Sequence, residues 1–132
     1  VSVSLGAGRR DPAHCTALGK VLLAGLAADA LQAFFAARTF ERRTPRTLTR
    51  KADVLKAVEA ARRLGYATDE EELAADLCCI GVPIRNASGR TVAAVSIAMP
   101  KSRYRAARVG EWVRALSAAA ARIGERVRDG AV

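Results

Sequence analysis

Apolar positions recur along this chain at two spacings, and the change of spacing divides it. Val1-Ser2-Val3-Ser4-Leu5 alternates in the manner of a strand. Gly6 to Pro12 reads as a loop, because glycine and proline punctuate it. Leu18, Val21, Leu22 and Leu26 then recur at helical spacing behind Thr16, whose hydroxyl suits an N-cap. Asp29 is placed to cap a second, short helix with Leu31, Phe34 and Phe35 on its apolar face, and Arg38 to Arg46, interrupted by Pro45, is expected to be a surface loop. Thr49 is expected to cap a third helix with Leu55, Val58 and Leu64 inside, which Gly65 is placed to close in a left-handed turn.

From Leu77 the period becomes two. Leu77 to Ile84 and Thr91 to Met99 are expected to form a β-hairpin across Asn86-Ala87-Ser88-Gly89. Pro83 lacks an N–H and fits an edge or an irregularity rather than a residue paired on both sides. A four-residue loop sets Arg85 opposite Arg90, Cys79 opposite Ser96 and Gly81 opposite Ala94. One face then carries Cys79, Gly81, Pro83, Val92, Ala94, Ser96 and Ala98, and the other, bulkier face Ile80, Val82, Ile84, Ala93, Val95, Ile97 and Met99. The small face is either a pocket floor, where a thiol and a hydroxyl meet, or a surface that lets a helix approach closely. From about Arg103, Val109, Trp112, Val113, Leu116, Ala120, Ile123 and Val127 trace the stripe of a long closing helix, with Trp112 expected in the core.

At 132 residues, 51% of them hydrophobic, the chain has the size and apolar content of one globular domain. Only 5% are aromatic and about a fifth are alanine, so small groups line the interior. The net charge is +9, but the basic residues are scattered and accompany no helix-turn-helix or zinc-finger signature, so they read as solvated faces rather than a nucleic-acid footprint. Three cysteines, two of them adjacent, make no disulfide framework and fit a reducing cytoplasm. No apolar run approaches the roughly 18–20 residues that span a bilayer, and no leader sequence is evident, so a cytoplasmic location is expected. The abrupt opening, without a start methionine, reads as the middle of a larger polypeptide. A thiol enzyme would use Cys79 or Cys15 with His14, the only histidine, as base, yet sequence neighbours such as His14 and Cys15 often point apart. Zinc needs about four convergent ligands, which Cys78 and Cys79 on opposite faces of a strand do not begin to supply. No metal, no cofactor and no enzymatic activity are therefore expected.

One ordered set of motifs adds a further expectation. His14-Cys15-Thr16-Ala17-Leu18-Gly19-Lys20-Val21-Leu22-Leu23-Ala24 is followed by Thr49 to Leu55, Arg62 to Ala67, Asp69-Glu70-Glu71-Glu72, Cys79 to Ile84, Gly89, Ala93-Ala94-Val95-Ser96 and Pro100. Across residues 6 to 128 this order and spacing resembles the effector-binding domain of IclR-type transcriptional regulators. The resemblance implies an α+β fold, a six-stranded antiparallel sheet of GAF or profilin-like type with helices on both faces. The family's leading helix, first strands and winged helix-turn-helix have no counterpart in this sequence, so residues 1–132 read as the C-terminal part of a single effector-binding domain. It further implies a sensor of a small organic acid, assembled as a homo-oligomer (dimer or tetramer) and touching DNA only through the winged helix. Carried over residue by residue, the effector carboxylate meets the backbone amides of Ala17 and Leu18, with Asp69, Leu77, Cys79 and Ser96 around the ligand. Ala98 stands where the family has a second serine, and Asp11 where an apolar residue is usual. Arg9 to His14 resemble the subgroup that answers to aromatic-acid catabolites. Asp69 either accepts a hydrogen bond from a ligand hydroxyl or solvates a turn in the acidic run Asp69 to Glu72. A module that only pairs subunits, without a ligand, is the competing reading.

Overall fold

Thr16 starts the first helix as its pattern predicts. In the computed structural model, which describes residues 6–127, its hydroxyl accepts the Gly19 N–H at 3.1 Å and donates to the Pro12 carbonyl at 2.9 Å. A 3-10 turn at Ala13–Cys15 leads into α1 (Ala17–Ala24), followed by α2 (Ala28–Ala36) and α3 (Lys51–Leu64). Three strands follow, β1 (Ala67–Glu70), β2 (Leu77–Arg85) and β3 (Thr91–Pro100), and the described chain closes with α4 (Val109–Gly124) after two more 3-10 turns. The strand expected at residues 1–5 lies outside the described residues.

The sheet is antiparallel in the order β1-β2-β3, with α4 against one face and α1 against the other. Cys78, Ile80, Val82 and Ile84 of β2 bury themselves against Leu116, Ala120 and Tyr104, and Val95, Ile97, Met99, Trp112 and Val113 pack at the margin of this cluster. α4 starts six residues later than its stripe suggests, because 3-10 turns occupy Lys101–Arg103 and Ala106–Arg108. Gly124 lies so near the Arg85 carbonyl that any Cβ there would collide with it. β1 pairs only as far as Gly81, so at Pro83 the β2 edge turned away from β3 is unpaired among the described residues, and the missing N–H costs nothing there.

The hairpin register differs from the expected one. Asn86 pairs with Arg90 around a turn in which Gly89 sits at φ 82°, and a bulge follows at Val92 of β3, opposite the step from Ile84 to Arg85. These two irregularities shift the pairing by two residues, so Cys79 opposes Ala98 and Gly81 opposes Ser96. Cys79 and Ser96 are therefore diagonal neighbours rather than a directly opposed pair. A shift of two preserves the faces, except that Val92, at the bulge, packs with the bulky cluster.

Two helices turn a different side inward from the one their leucines suggest. On α1 the buried positions are Ala17, Gly19, Lys20, Val21 and Leu23, while Leu18, Leu22 and, just past its end, Leu26 are 38–44% exposed. On α3 they are Val54, Val58 and Ala61, with Leu55 and Leu64 at the surface. Its N-cap is Arg50, not Thr49, and that of α2 is Ala27, with Asp29 in the first turn. Gly65, at φ 80°, closes α3 as expected. Among the described residues no helix is long and apolar enough to cross a membrane.

Candidate functional site

The small face of the sheet is ordered in rows that run across all three strands. Asp69, Cys79 and Ala98 form one row, and Ala67, Gly81 and Ser96 the next. Leu77 is buried two residues before Cys79, on the same face. α1 crosses above the second row. A Cβ placed on Gly81 would lie only 3.2–3.3 Å from the carbonyl and Cβ of Ala17, so glycine and alanine let the first turn of α1 descend onto the sheet. Both readings of this face thus hold in part: Gly81 serves close helix packing, and Cys79 and Ser96 remain half-exposed beside it.

That first turn leaves donors to spare. The Gly19 N–H is taken by Thr16 Oγ1 and the Lys20 N–H by the Thr16 carbonyl, while the amides of Ala17 and Leu18 have no partner among the described residues. Leu18 presents its side chain to the surface, so only its backbone faces the site. Gly19 is required here, because a Cβ would run into the Ala13 backbone.

Asp69 is not a surface acid. It sits on β1, a strand that the acidic run conceals, and is 0% exposed. Oδ1 accepts the Glu72 N–H at 2.7 Å, whereas the equally buried Oδ2 has no partner. Burial, reinforced by the nearby Glu72 carboxylate, raises its pKa from 3.8 to about 6 against the pull of the Glu72 N–H and Lys20. The same environment acts on the thiols. Burial first, then the charge of Asp69, pushes Cys15 up to about 11 and Cys79 up to about 12. Both are neutral thiols at physiological pH, poor nucleophiles but good small walls. His14 Nε2 meets the Glu41 carbonyl at 2.8 Å and its ring rests on Phe40, so the base of the thiol-enzyme reading is engaged elsewhere. Asp11 is ion-paired with Arg9 at 2.8 Å and borders a 470 Å³ cleft with His14, Phe34 and Phe40, close enough for its charge to act on the Cys79 thiol. Ala98 is exposed at the end of its row.

The sequence reading missed Lys20 and Glu72, which meet at 2.7 Å inside the fold. The available signal was a lysine interrupting the apolar run Val21-Leu22-Leu23 one position before its start. It also missed Thr44 and Thr47, whose hydroxyls donate to the carbonyls of Glu71 and Glu72 at 2.6 and 2.7 Å and hold the turn after Asp69.

Comparison with known proteins gives this arrangement a family. The profile described as "Bacterial transcriptional regulator IclR C-terminal" matches residues 1–125. The chain is 36% identical over 120 residues to the HTH-type transcriptional regulator KdgR of Escherichia coli K12, which covers 91% of this chain and 46% of that protein. It thus spans less than half the length of that relative. The crystal structure of the C-terminal domain of E. coli KdgR superposes with a TM-score of 0.82 at 37% identity, covering 89% of this chain and 71% of that one. The inducer-binding domain of an Acinetobacter PobR double mutant, in complex with 3-hydroxybenzoic acid, superposes with a TM-score of 0.83 at 30% identity, covering 91% and 69%. With the profile match over nearly the whole chain, a shared α+β fold and relatives named as regulators and repressors, the chain belongs to the IclR family of bacterial transcriptional regulators, as their C-terminal, effector-binding domain.

Proposed function

We propose that this domain senses a small organic acid that also carries a hydroxyl, with aromatic-acid catabolites the favoured class. One observation carries the reading: a fully buried carboxylate, Asp69, holds one oxygen without a partner on the face over which α1 begins with two unpartnered amides. Unpaired buried polar atoms are costly, and those that persist call for a ligand group that satisfies them. The amides of Ala17 and Leu18, at the positive end of α1, suit the effector carboxylate. Asp69 Oδ2 accepts from the effector hydroxyl, Cys79 and Leu77 supply the wall, and Ser96 offers a further hydroxyl. Ala98, where the family has a second serine, leaves the polar end read by Asp69 and Ser96 alone. The PobR domain bound to 3-hydroxybenzoic acid supports this class of ligand for a fold so similar.

In this reading the domain acts within a longer, cytoplasmic regulator whose winged helix-turn-helix contacts DNA. Residues 1–132 supply the C-terminal part of the sensor, and occupancy changes the arrangement of subunits in a homo-oligomer. The ligand shifts DNA binding only through its differential affinity for the two arrangements. The test is the melting temperature of the full-length protein against aliphatic and aromatic carboxylic acids, with and without hydroxyls, in wild type, Ser96→Ala and Cys79→Val. Ligand at about 100 times its Kd stabilises by about 2.7 kcal/mol. A shift from one hydroxy-acid class, weakened in both variants, is expected. No shift across the panel refutes the acid-effector reading and leaves a non-acid effector or a module that only pairs subunits.

A further inference from the structure

Lys20 takes no direct part in the proposed contacts, yet it is 4% exposed, a position a lysine occupies only with compensation. Its ammonium donates to Glu72 Oε2 at 2.7 Å and to the Thr68 carbonyl at 2.9 Å. Thr68 immediately precedes Asp69, and the Glu72 N–H is the group that donates to Asp69 Oδ1 at 2.7 Å. One ammonium therefore grips the acid-bearing segment on both sides of Asp69. Its own backbone belongs to the first turns of α1, three residues after Ala17 and two after Leu18.

The far side of that segment is held independently. Thr44 and Thr47 bind the carbonyls of Glu71 and Glu72, and Glu71 is kept at φ 61°, a conformation that side-chain-bearing residues seldom adopt. The ammonium pairs directly with Glu72 alone, and each of the two neighbouring carboxylates keeps one buried oxygen, Asp69 Oδ2 and Glu72 Oε1, without a partner. An arrangement selected for stability alone would satisfy both oxygens or replace the trio with apolar groups.

We infer that Lys20 is a positioning residue: through Glu72 and Thr68 it sets the distance between the start of α1 and Asp69, and so selects ligands whose carboxylate and hydroxyl are separated by that span. The inference rests on the effector reading above and adds to it the determinant of ligand geometry. Without the ammonium, Glu72 and Asp69 repel, the turn loses its tie to α1, and the hydroxyl acceptor moves relative to the amides while the amides themselves stay in place.

The test titrates 3-hydroxybenzoate and benzoate, which differ only in the hydroxyl, into the full-length protein by calorimetry. Wild type is compared with Lys20→Met, Lys20→Arg and Glu72→Gln. Lys20→Met is expected to lose at least about tenfold in affinity for 3-hydroxybenzoate and less than about twofold for benzoate, with Glu72→Gln intermediate and Lys20→Arg retaining most of the preference. An equal loss for both acids, or an unchanged ratio, overturns the inference, since a merely structural role weakens both alike. A second readout needs no ligand: the titration of the Asp69 carboxyl followed by carbon NMR. Among the described residues, Glu72 and Lys20 act on it by charge and the Cys15 and Cys79 thiols lie beside it, so loss of the Lys20 charge must move its midpoint upward. If wild type binds neither acid, the effector reading fails for this class and the NMR readout alone judges Lys20. An unmoved Asp69 midpoint in Lys20→Met then overturns its link to Asp69.

Discussion

Replacing Asp69 with asparagine should stabilise the protein at neutral pH while depriving it of its ligand. The fold holds the carboxyl at about 6, against 3.8 in the unfolded chain, so the folded state binds the proton more tightly. Below 3.8 the group is neutral in both states and costs nothing. As pH rises from 3.8 to about 6 the unfolded chain ionises first, and stability is lost across that window until the full cost stands above it. Roughly two units at about 1.36 kcal/mol each amount to about 3 kcal/mol. Asparagine retains an oxygen for the Glu72 N–H and removes the charge, so urea unfolding of this domain should show Asp69→Asn about 2–3 kcal/mol more stable than wild type at pH 8. Near pH 4 the two should be almost equal. A variant less stable than wild type at pH 8, or a difference that does not change with pH, refutes the account of Asp69 as a buried, under-satisfied acid. Loss of the melting-temperature response to hydroxy acids in the same variant would tie that cost to binding.

Three further outcomes follow from the geometry. Gly81→Val forces side-chain atoms into the 3.2 Å approach of Ala17, and thermal melts should register a loss of about 1–3 kcal/mol as α1 is lifted from the sheet. Cys79, pushed up to about 12, is almost wholly protonated at pH 8, so iodoacetamide should modify it roughly a thousandfold more slowly in the folded protein than in urea, followed by mass spectrometry; rapid native alkylation would revive the nucleophile reading. Thr47→Val removes the donor to the Glu72 carbonyl and the acceptor for the Arg43 and Thr44 N–H groups, costing about 1–3 kcal/mol, and hydrogen exchange at the Glu72 amide should speed up.

The hairpin and α4 are legible in the sequence because their periods of two and 3.6 persist over long runs that no local chemistry interrupts. β1 is not, since Ala67-Thr68-Asp69-Glu70 shows no apolar alternation and its acids imitate a solvated turn. The hairpin pairing is legible to within two residues. Loop length alone does not reveal that Asn86 joins the pairing with Arg90 or that a bulge follows, yet an even shift left the site on the correct face. The inward faces of α1 and α3 were misread for a common reason. Leucine is the stronger hydrophobic signal, but distance to a neighbouring element decides which side fits, and at Gly81 only alanine does. The same closeness explains why Asp69, Cys79 and Ser96 emerge as neighbours while Lys20 and Glu72 escape notice. Their partnership joins residues far apart in sequence, and neither residue type advertises burial.

The bare amides at the start of α1 have an evolutionary consequence. They belong to the main chain at Ala17 and Leu18, so no substitution at either position short of proline removes them, provided Thr16 still begins the helix and Gly19 still admits it. In the reading proposed above, the anchor for the effector carboxylate is therefore written in the backbone rather than in a side chain. Ligand preference would then fall to the side chains proposed around it, Asp69, Cys79, Ser96 and Ala98, which can change one at a time without unmaking the anchor. On that reading, a change of ligand need not cost the site its hold on a carboxylate.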